Sequence, residues 1–331
     1  MKETKIEWCD STWNCLRGCS RVSEGCRNCY AEKMAYRFSG VGQPYEGLAI
    51  LKNDHASWTG KVVLAENHLL DPLKWKPICT TTGHLGGGRW EPMRPRRIFV
   101  NSMSDLFHEN VPDGWIDKIF AVMALRPQHI FQVLTKRPER MLDYMQTRAR
   151  MMARGAFIDS AIANALREVA VLSKAPFPGN APLELLAAGW PLPNVWLGVS
   201  VENQAAADER IPLLLQTPAT VRFGSCEPLL GPVNLEELPS VSGVGRYLSA
   251  LSNAGVDPGA EIATKLDWVI CGGESGPGAR PMHPDWARLL RDQCKSADVA
   301  FFMKQMGSAY GPNKGHNLPP DLDIKQFPEA Q

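Results

Sequence analysis

The chain has 331 residues, 44% of them hydrophobic and 21% charged, which is enough for a large hydrophobic core in one domain. Its 36 Lys and Arg residues nearly cancel its 35 Asp and Glu residues, so bulk charge gives no argument for nucleic-acid binding and leaves room only for a local basic groove. No apolar run has the length of a transmembrane helix.

The N-terminus starts with polar residues and shows no apolar h-region, so it does not resemble a signal peptide. We therefore expect a cytoplasmic protein without membrane contact, in which thiols stay reduced. The chain has nine cysteines. In a reducing compartment, clustered cysteines are more often metal ligands than disulfides.

A cysteine-rich segment at residues 9–30, the Cys loop, indicates metal binding because thiolates bind soft metal centres. A structural zinc ion would take four thiolates, here Cys15, Cys19, Cys26 and Cys29. Zinc ribbons usually bring two Cys-x2-Cys pairs, however, and only Cys26 and Cys29 form such a pair. The spacing therefore favours an iron–sulfur cluster on Cys19, Cys26 and Cys29, which leaves one iron position open. Cys9 and Cys15 would then be additional thiols.

The other cysteines are scattered singly along the chain. We predict that they are small core residues: Cys79, Cys226, Cys271 and Cys294.

Short apolar runs alternate with helical patterns from about residue 97 onward. The runs predict six buried strands, at 97–100, 129–134, 195–199, 221–224, 268–271 and 299–302. Two weaker strand candidates lie at 6–8 and 61–64. Prolines near helix starts predict helices over 115–125, from Pro138 onward, and over 286–295.

Strands that alternate with helices imply parallel pairing through right-handed crossovers. We predict an α/β fold, a partial or complete (β/α) TIM-like barrel that forms a single domain over 1–311. Three segments look like insertions, near 80–97, 148–190 and 236–264, and 312–331 looks like an irregular C-terminal tail. In such a barrel the loops after the strands form one mouth, onto which the Cys loop would open.

Polar residues that follow the predicted strands are candidate catalytic residues. Asp105 and His108 could bind substrate or shuttle protons, and Lys136 with Arg137 could hold a carboxylate or a phosphate. Each has a structural alternative. Asp105 would cap the next turn, His108 would pack there, and the two cations would form a solvated helix start.

The Cys loop at the start of a βα barrel, with Gly18-Cys19 and Cys29-Tyr30, resembles that of radical S-adenosylmethionine enzymes. In that superfamily three cysteines hold a [4Fe-4S] cluster, and S-adenosylmethionine chelates the fourth iron. The resemblance implies hydrogen abstraction by a 5′-deoxyadenosyl radical. The sequence departs from the usual Cys-x3-Cys-x2-Cys spacing by three extra residues between Cys19 and Cys26.

Under this resemblance, several mouth residues are candidates for binding the cofactor. Ser200, Glu202 and Glu227 could hold its ribose hydroxyls or amino group, unless they only hydrogen-bond between loops. Gly272-Gly273-Glu274 is similar to a superfamily motif that normally follows the second strand, or it is a tight turn after a strand. Lys304 and Gln305 could reach the same opening.

A closer resemblance covers nearly the whole chain, which is similar to the three-cysteine-motif proteins of phages and mobile elements, an uncharacterised family. The matching segments are 6–8, 12–14, 25–32, 101–108, 134–138, 196–202, 227–232 and 272–276. The family's three cysteines match Cys19, Cys26 and Cys29.

We therefore expect a radical S-adenosylmethionine enzyme of unknown substrate, with Asp105, His108 and Lys136 as catalytic candidates. The phage association suggests a role in nucleic acid or nucleotide modification or repair. Its partners would be S-adenosylmethionine and an electron donor such as flavodoxin or ferredoxin. The alternative is a non-enzymatic zinc-binding phage protein whose Cys loop binds a protein or a nucleic acid.

Overall fold

The computed structural model describes residues 4–79, 93–153, 161–173, 189–239, 247–252, 265–310 and 318–329. Its centre is a curled sheet of seven parallel strands, a half-barrel, in which the strands are neighbours in chain order. The strands are β1 (Ser11–Trp13), β2 (Arg96–Val100), β3 (His129–Thr135), β4 (Val195–Ser200), β5 (Val221–Cys226), β6 (Trp268–Gly272) and β7 (Ala300–Gln305).

Helices pack on the outer face of the sheet, because parallel strands are apolar on both faces. The helices of the described residues are α1 (Tyr30–Arg37), α2 (Glu66–Leu69), α3 (Asp113–Ala124), α4 (Pro138–Ala153), α5 (Ala161–Ser173), α6 (Gln204–Gln216) and α7 (Pro284–Ser296). Of these, α1 packs on a separate hairpin and α5 packs on α3. Within the described ranges, no helix is both long and apolar enough to cross a bilayer.

The concave face of the sheet has an aromatic floor. The floor consists of Trp8, Phe99, Trp196, Phe223, Trp268 and Phe302, with aliphatic side chains between them. The Trp268 ring centroid lies 6.0 Å from that of Trp196 and 5.7 Å from that of Phe223. Gly198 permits this packing, because a Cβ there would lie 2.5 Å from the Phe223 ring.

Residues two apart on a strand point to the same face of the sheet, and at the carboxyl ends of the strands the residues on the concave face are polar. Two residues beyond Phe302 comes Lys304, and two beyond Phe223 comes Ser225. Ser200 likewise follows Gly198 on β4. The half-barrel therefore has an apolar floor and a polar mouth.

The C-terminal segment closes the open side of the half-barrel. Lys325 pairs with Phe302 in an antiparallel bridge, and its Nζ lies 2.6 Å from Glu7 Oε2. The Arg97 guanidinium lies 3.7 Å above the centroid of the Phe327 ring, so this segment contacts the β2 side as well. Residues 318–329 are thus packed although they are largely irregular.

The six predicted strands and the three predicted helices are confirmed, with shifts of one to three residues at their ends. The prediction of strands at the two weaker positions is wrong for the main sheet. Residues 6–8 turn inward because Trp8 packs into the floor, and the first strand is Ser11–Trp13. Val63–Leu64 pairs instead with Leu16–Arg17 in a separate ribbon.

The predicted insertions are only partly described. Residues 80–92, 154–160, 174–188, 240–246, 253–264 and 311–317 lie outside the described residues. Helix α5, which packs against α3, belongs to the second insertion, and the pairing of Leu238–Pro239 with Tyr247–Leu248 belongs to the third. That the chain forms one domain stays a prediction.

Candidate functional site

Parallel strands end at one edge of the sheet, and this edge brings the predicted site residues together. The part of the Cys loop that carries Cys19, Cys26 and Cys29 follows β1, and the other residues come at or after the ends of β2 to β7. In chain order they are Asp105, His108, Lys136, Ser200, Glu202, Glu227, Gly272, Gly273, Glu274 and Lys304.

The first end of the Cys loop is fixed at Gly18 and Ser20. Gly18 has a φ of +93°, and a Cβ there would lie 2.0 Å from the Lys61 carbonyl oxygen, so only glycine fits. Ser20 Oγ accepts a hydrogen bond of 2.7 Å from Arg137 Nη2 and donates one of 3.1 Å to Glu109 Oε1. Cys19 is therefore held between two anchored neighbours.

His108 forms a hydrogen bond with the same Ser20 side chain. Its Nδ1 accepts a hydrogen bond of 3.0 Å from the Asn110 backbone N–H, which leaves the proton on Nε2. Nε2 lies 3.0 Å from Ser20 Oγ and donates to it. Burial, helped by Arg137, lowers the pKa of His108, so the ring is neutral. Both ring nitrogens are thus engaged, and a catalytic role for His108 stays a prediction.

Asp105 joins the ends of β2 and β3. One carboxylate oxygen accepts hydrogen bonds from Thr135 Oγ1 at 2.7 Å and from the Phe107 N–H at 3.0 Å. The other accepts from the Lys136 N–H at 3.1 Å and from Arg137 Nη1 at 3.0 Å. The structural alternative, a capped turn, is present at this residue, and four donors occupy both oxygens.

The second end of the Cys loop is held by Glu274. Its carboxylate accepts hydrogen bonds from Arg280 Nη2 at 2.7 Å, Arg280 Nε at 3.0 Å and Asn28 Nδ2 at 2.8 Å. Burial alone would raise the pKa of Glu274, but the bonds from Arg280 and Asn28 outweigh it and lower the pKa. Arg280 also donates to the Glu24 carbonyl oxygen at 3.2 Å. This group, the Glu274 clamp, therefore grips the loop on both sides of Cys26.

The two glycines before Glu274 lie in different surroundings. A Cβ on Gly273 would lie 2.1 Å from the Met306 carbonyl oxygen, so this glycine is required by the close approach of the backbone. Gly272 faces the mouth, where a Cβ would lie 3.5 Å from both Glu227 and Lys304. Cofactor binding by either glycine stays a prediction.

Glu202 lies under the middle of the Cys loop. It is buried and pairs with Arg210 Nη1 at 2.8 Å and with Lys136 Nζ at 3.2 Å. Burial by itself raises the pKa of this carboxyl, but Lys136 and Arg210 outweigh it and lower the pKa to about 2. A Cβ on Gly25 would lie 3.0 Å from the Glu202 Cδ atom, so the loop rests directly on this carboxylate. Arg210 also donates to the Ser200 carbonyl oxygen at 2.9 Å.

The mouth itself contains an ion pair and a phenol. Lys304 Nζ donates to Glu227 Oε1, and both side chains remain partly accessible. Tyr30 Oη donates a hydrogen bond of 2.5 Å to the Ser102 carbonyl oxygen, which places this ring across the opening. Burial of the hydroxyl, together with Cys29, raises the pKa of Tyr30, so the phenol stays protonated.

Among the three thiols of the predicted metal site, Cys29 lies within electrostatic range of both Cys19 and Cys26. Burial raises the pKa of Cys19 to about 12, with contributions from Asp105 and Cys29. Burial also raises the pKa of Cys29, with a contribution from Cys26. In the described part of the chain, no three His, Cys, Asp or Glu side chains converge on a point that could hold a single metal ion.

The other thiols near the loop point elsewhere. Cys15 is fully buried in the outer core, where its Sγ donates to Asn101 Oδ1 at 3.5 Å. Cys9 borders the aromatic floor and donates to the Ile6 carbonyl oxygen at 3.7 Å. The prediction for the single cysteines is confirmed for Cys226, Cys271 and Cys294, which are buried, and wrong for Cys79, which is exposed.

Several residues that build the site were not predicted from the sequence. Arg280 and Arg210 are single arginines in a loop and a helix, and no local pattern marks them as partners of buried carboxylates. Asn28 and Tyr30 had a usable signal, because they stand between and beside two candidate metal ligands.

Comparison with known proteins matches residues 3–319 to a family model described as "Protein of unknown function (DUF5131)". No curated protein and no solved structure matches the chain. The matched range runs from the residues before the Cys loop to the segment beyond β7, so it includes every residue of the candidate site. The family description assigns no activity to them.

Proposed function

Because the chain belongs to the DUF5131 family, whose description names no function, we propose an activity from the site residues themselves: that of a radical S-adenosylmethionine enzyme. In this proposal Cys19, Cys26 and Cys29 hold a [4Fe-4S] cluster, and S-adenosylmethionine occupies the mouth beside it. The observation that carries the proposal is the doubly anchored loop beside the polar mouth of the half-barrel, which carries Cys19, Cys26 and Cys29.

The donor set fits a cluster better than a single ion. A zinc ion requires its sulfur ligands to converge at about 2.3 Å, and the described residues contain no such group. A cluster instead distributes its thiolates over separate iron atoms, which neighbouring but non-convergent thiols can satisfy. Cys15, the fourth thiolate of the zinc alternative, lies in the outer core.

The raised pKa values of Cys19 and Cys29 have a consequence for loading. Without metal these thiols keep their protons, and metal binding must release them. The anchors of the loop reduce the ordering cost of this step, because Ser20 beside Cys19 and Asn28 beside Cys29 are already held in place.

When bound, the cluster and S-adenosylmethionine would supply reductive sulfonium cleavage and hydrogen-atom abstraction. The Lys304–Glu227 pair could bind the methionine moiety, because Glu227 can accept from its ammonium group and Lys304 can donate to its carboxylate. Glu202 and Glu274 are less suited, since they are buried and both oxygens of each carboxylate already accept from an arginine. The aromatic floor would exclude water from the side of the mouth that faces the sheet interior.

The proposal is tested by anaerobic reconstitution with iron and sulfide, followed by metal analysis and chromatography for 5′-deoxyadenosine after reduction. We expect about four iron atoms per chain and formation of 5′-deoxyadenosine. Alanine variants of Cys19, Cys26 and Cys29 should each lose the cluster, whereas the matched control Cys15→Ala should keep it. A fully loaded cluster that yields no 5′-deoxyadenosine, or a colourless protein with bound zinc, would contradict the proposal.

A further inference from the structure

Helix α1 carries an exposed face that nothing in the proposed activity uses. Ala31, Glu32 and Ala35 are buried, on the side that packs against the hairpin of Ala49–Lys52 and His55–Trp58. The remaining residues form what we call the α1 platform: Tyr30, Lys33, Met34, Tyr36, Arg37 and Phe38. Tyr30, Tyr36 and Phe38 are exposed by 46%, 40% and 41%.

Exposed rings are concentrated in this region. Among the described residues, nine of the fifteen exposed large hydrophobic side chains lie between positions 22 and 63, and four of these nine belong to the platform: Tyr30, Met34, Tyr36 and Phe38. A concentration of exposed apolar side chains marks a binding surface more often than an ordinary solvated face. We therefore expect the platform to bind a partner that covers its aromatic rings.

The platform is also positively charged. Lys33 and Arg37 lie on it, and the single carboxylate of α1, Glu32, is buried and receives hydrogen bonds from Arg21 and from the Trp58 N–H. No acidic side chain of α1 faces outward. The cores of protein–protein interfaces share the aromatic residues but are depleted of lysine.

Rings that alternate with cations match the chemistry of a single-stranded nucleic acid. Bases stack on aromatic side chains, and phosphates bind to Lys and Arg. Tyr30, Lys33, Met34 and Arg37 lie along one line of the helix, and Tyr36 and the C-cap residue Phe38 flank this line on its two sides. The eight residues of α1 span about 12 Å, enough for three or four bases at a spacing of about 3.4 Å.

The position of the platform connects it to the mouth. It begins at Tyr30, directly after Cys29, and Tyr30 Oη bonds to Ser102 beyond β2. Lys33 Nζ donates to the Pro277 carbonyl oxygen at 3.2 Å, so the platform also borders the loop of the Glu274 clamp. We infer that the α1 platform binds a single-stranded nucleic acid and directs one of its nucleotides into the mouth.

This inference names the substrate class of the proposed enzyme and therefore rests on the proposed function. Binding of the single-stranded nucleic acid to the platform does not itself require the iron–sulfur cluster. The test is fluorescence anisotropy of a fluorescein-labelled oligothymidine or oligouridine with the full-length protein, both metal-free and reconstituted. We expect saturable binding that weakens with salt.

Two double variants separate stacking from charge. Y36A/F38A should weaken binding about tenfold or more without changing the salt dependence. K33Q/R37Q should weaken binding and flatten the slope of log K against log salt by about 1.4. The matched controls are Val171→Ala, an exposed apolar residue of α5, and Arg150→Gln, an exposed cation of α4. Both controls should bind as the wild type does.

Failure to bind either strand at about 0.1 mM protein would overturn the inference, as would platform variants that bind like the controls. If polyglutamate displaced the strand equally well and Y36A/F38A had no effect, the face would be a docking site for an acidic protein instead. Retained strand binding without 5′-deoxyadenosine formation would defeat the proposed activity alone.

Discussion

The floor of the concave face carries six packed aromatic side chains, whereas at the carboxyl ends of the strands the same face carries Ser200, Gly272 and Lys304. The two regions are separated by only a few residues along each strand. The floor is held by dispersion and the hydrophobic effect, which depend on volume. The mouth is held by charge-assisted hydrogen bonds, which depend on partners.

The difference suggests how the protein can keep charged groups at the carboxyl edge. Buried carboxylates such as Glu202 and Glu274 are tolerated only where cations meet them in fixed geometry, and a rigid floor keeps the strand ends in place. Changes in the floor should therefore reduce stability, and changes in the mouth should act mainly on binding.

The largest effect is expected at the centre of the floor. Trp268→Ala removes a ring that packs against Trp196, Phe223 and Phe302, and it should lower the free energy of unfolding by about 3–5 kcal/mol. Urea denaturation measures this loss. The half-buried Trp286 of α7 is the control, and its alanine variant should cost less. If both alanine variants lost the same free energy of unfolding, the floor would not be a special contributor to stability.

The next effect concerns the charge beneath the Cys loop. The folded pKa of Glu202, about 2, lies below its ordinary value of 4.5, so its carboxylate stabilises the fold above pH 4.5. That contribution is lost as the pH falls toward 2. Between about pH 6 and about pH 3 the wild type should lose about 2 kcal/mol that Glu202→Gln does not lose.

Glu109 is the matched control for this pH dependence. Its pKa is also lowered to about 2, with Arg137 as the partner, but its side chain is 60% exposed. Solvent screens such a pair, so Glu109→Gln should change the pH dependence by less than about 1 kcal/mol. Identical pH profiles for the wild type and Glu202→Gln would show that Glu202 is not a stabilising charge.

A smaller loss of stability, with a clear effect on the Cys loop, is expected for the Glu274 clamp. Arg280→Gln leaves Glu274 without its bidentate partner and should cost about 1–3 kcal/mol. It should also reduce the iron retained after reconstitution and desalting, because Glu24 and Asn28 lose their anchor. Arg288→Gln removes an exposed arginine of α7 and should leave the iron content unchanged. Equal iron retention in both variants would refute the clamp.

The smallest effect on stability is expected within the mouth. Glu227→Gln and Lys304→Met break a partly exposed pair and should change the free energy of unfolding by less than about 1 kcal/mol. Each should nevertheless weaken binding of S-adenosylmethionine to the reconstituted protein about tenfold, as measured by calorimetry. Lys118→Met breaks a comparable pair between α3 and α5 and should not affect binding. Unchanged affinity in both mouth variants would remove the pair from the cofactor site.

Much of the fold could be predicted because local patterns of apolar residues and prolines indicate where strands and helices lie. Apolar runs such as 195–199 and 268–271 became β4 and β6, and Pro284 begins α7 as expected. The first strand was misplaced because Trp8 is as apolar as a strand residue but turns inward to complete the floor. A short apolar run does not reveal which partner it packs against.

The order of strands and helices, the polar residues at the strand ends and the three cysteines on one loop can be read from local patterns, since these depend on neighbours in the chain. Which charges meet depends on the packed fold. Asn28 and Glu274 are 246 residues apart, yet they hydrogen-bond because parallel strands end at one edge. The same contacts left Cys15 in the core and Glu202 beneath the loop, because burial and charge pairing depend on the packed chain and not on local spacing.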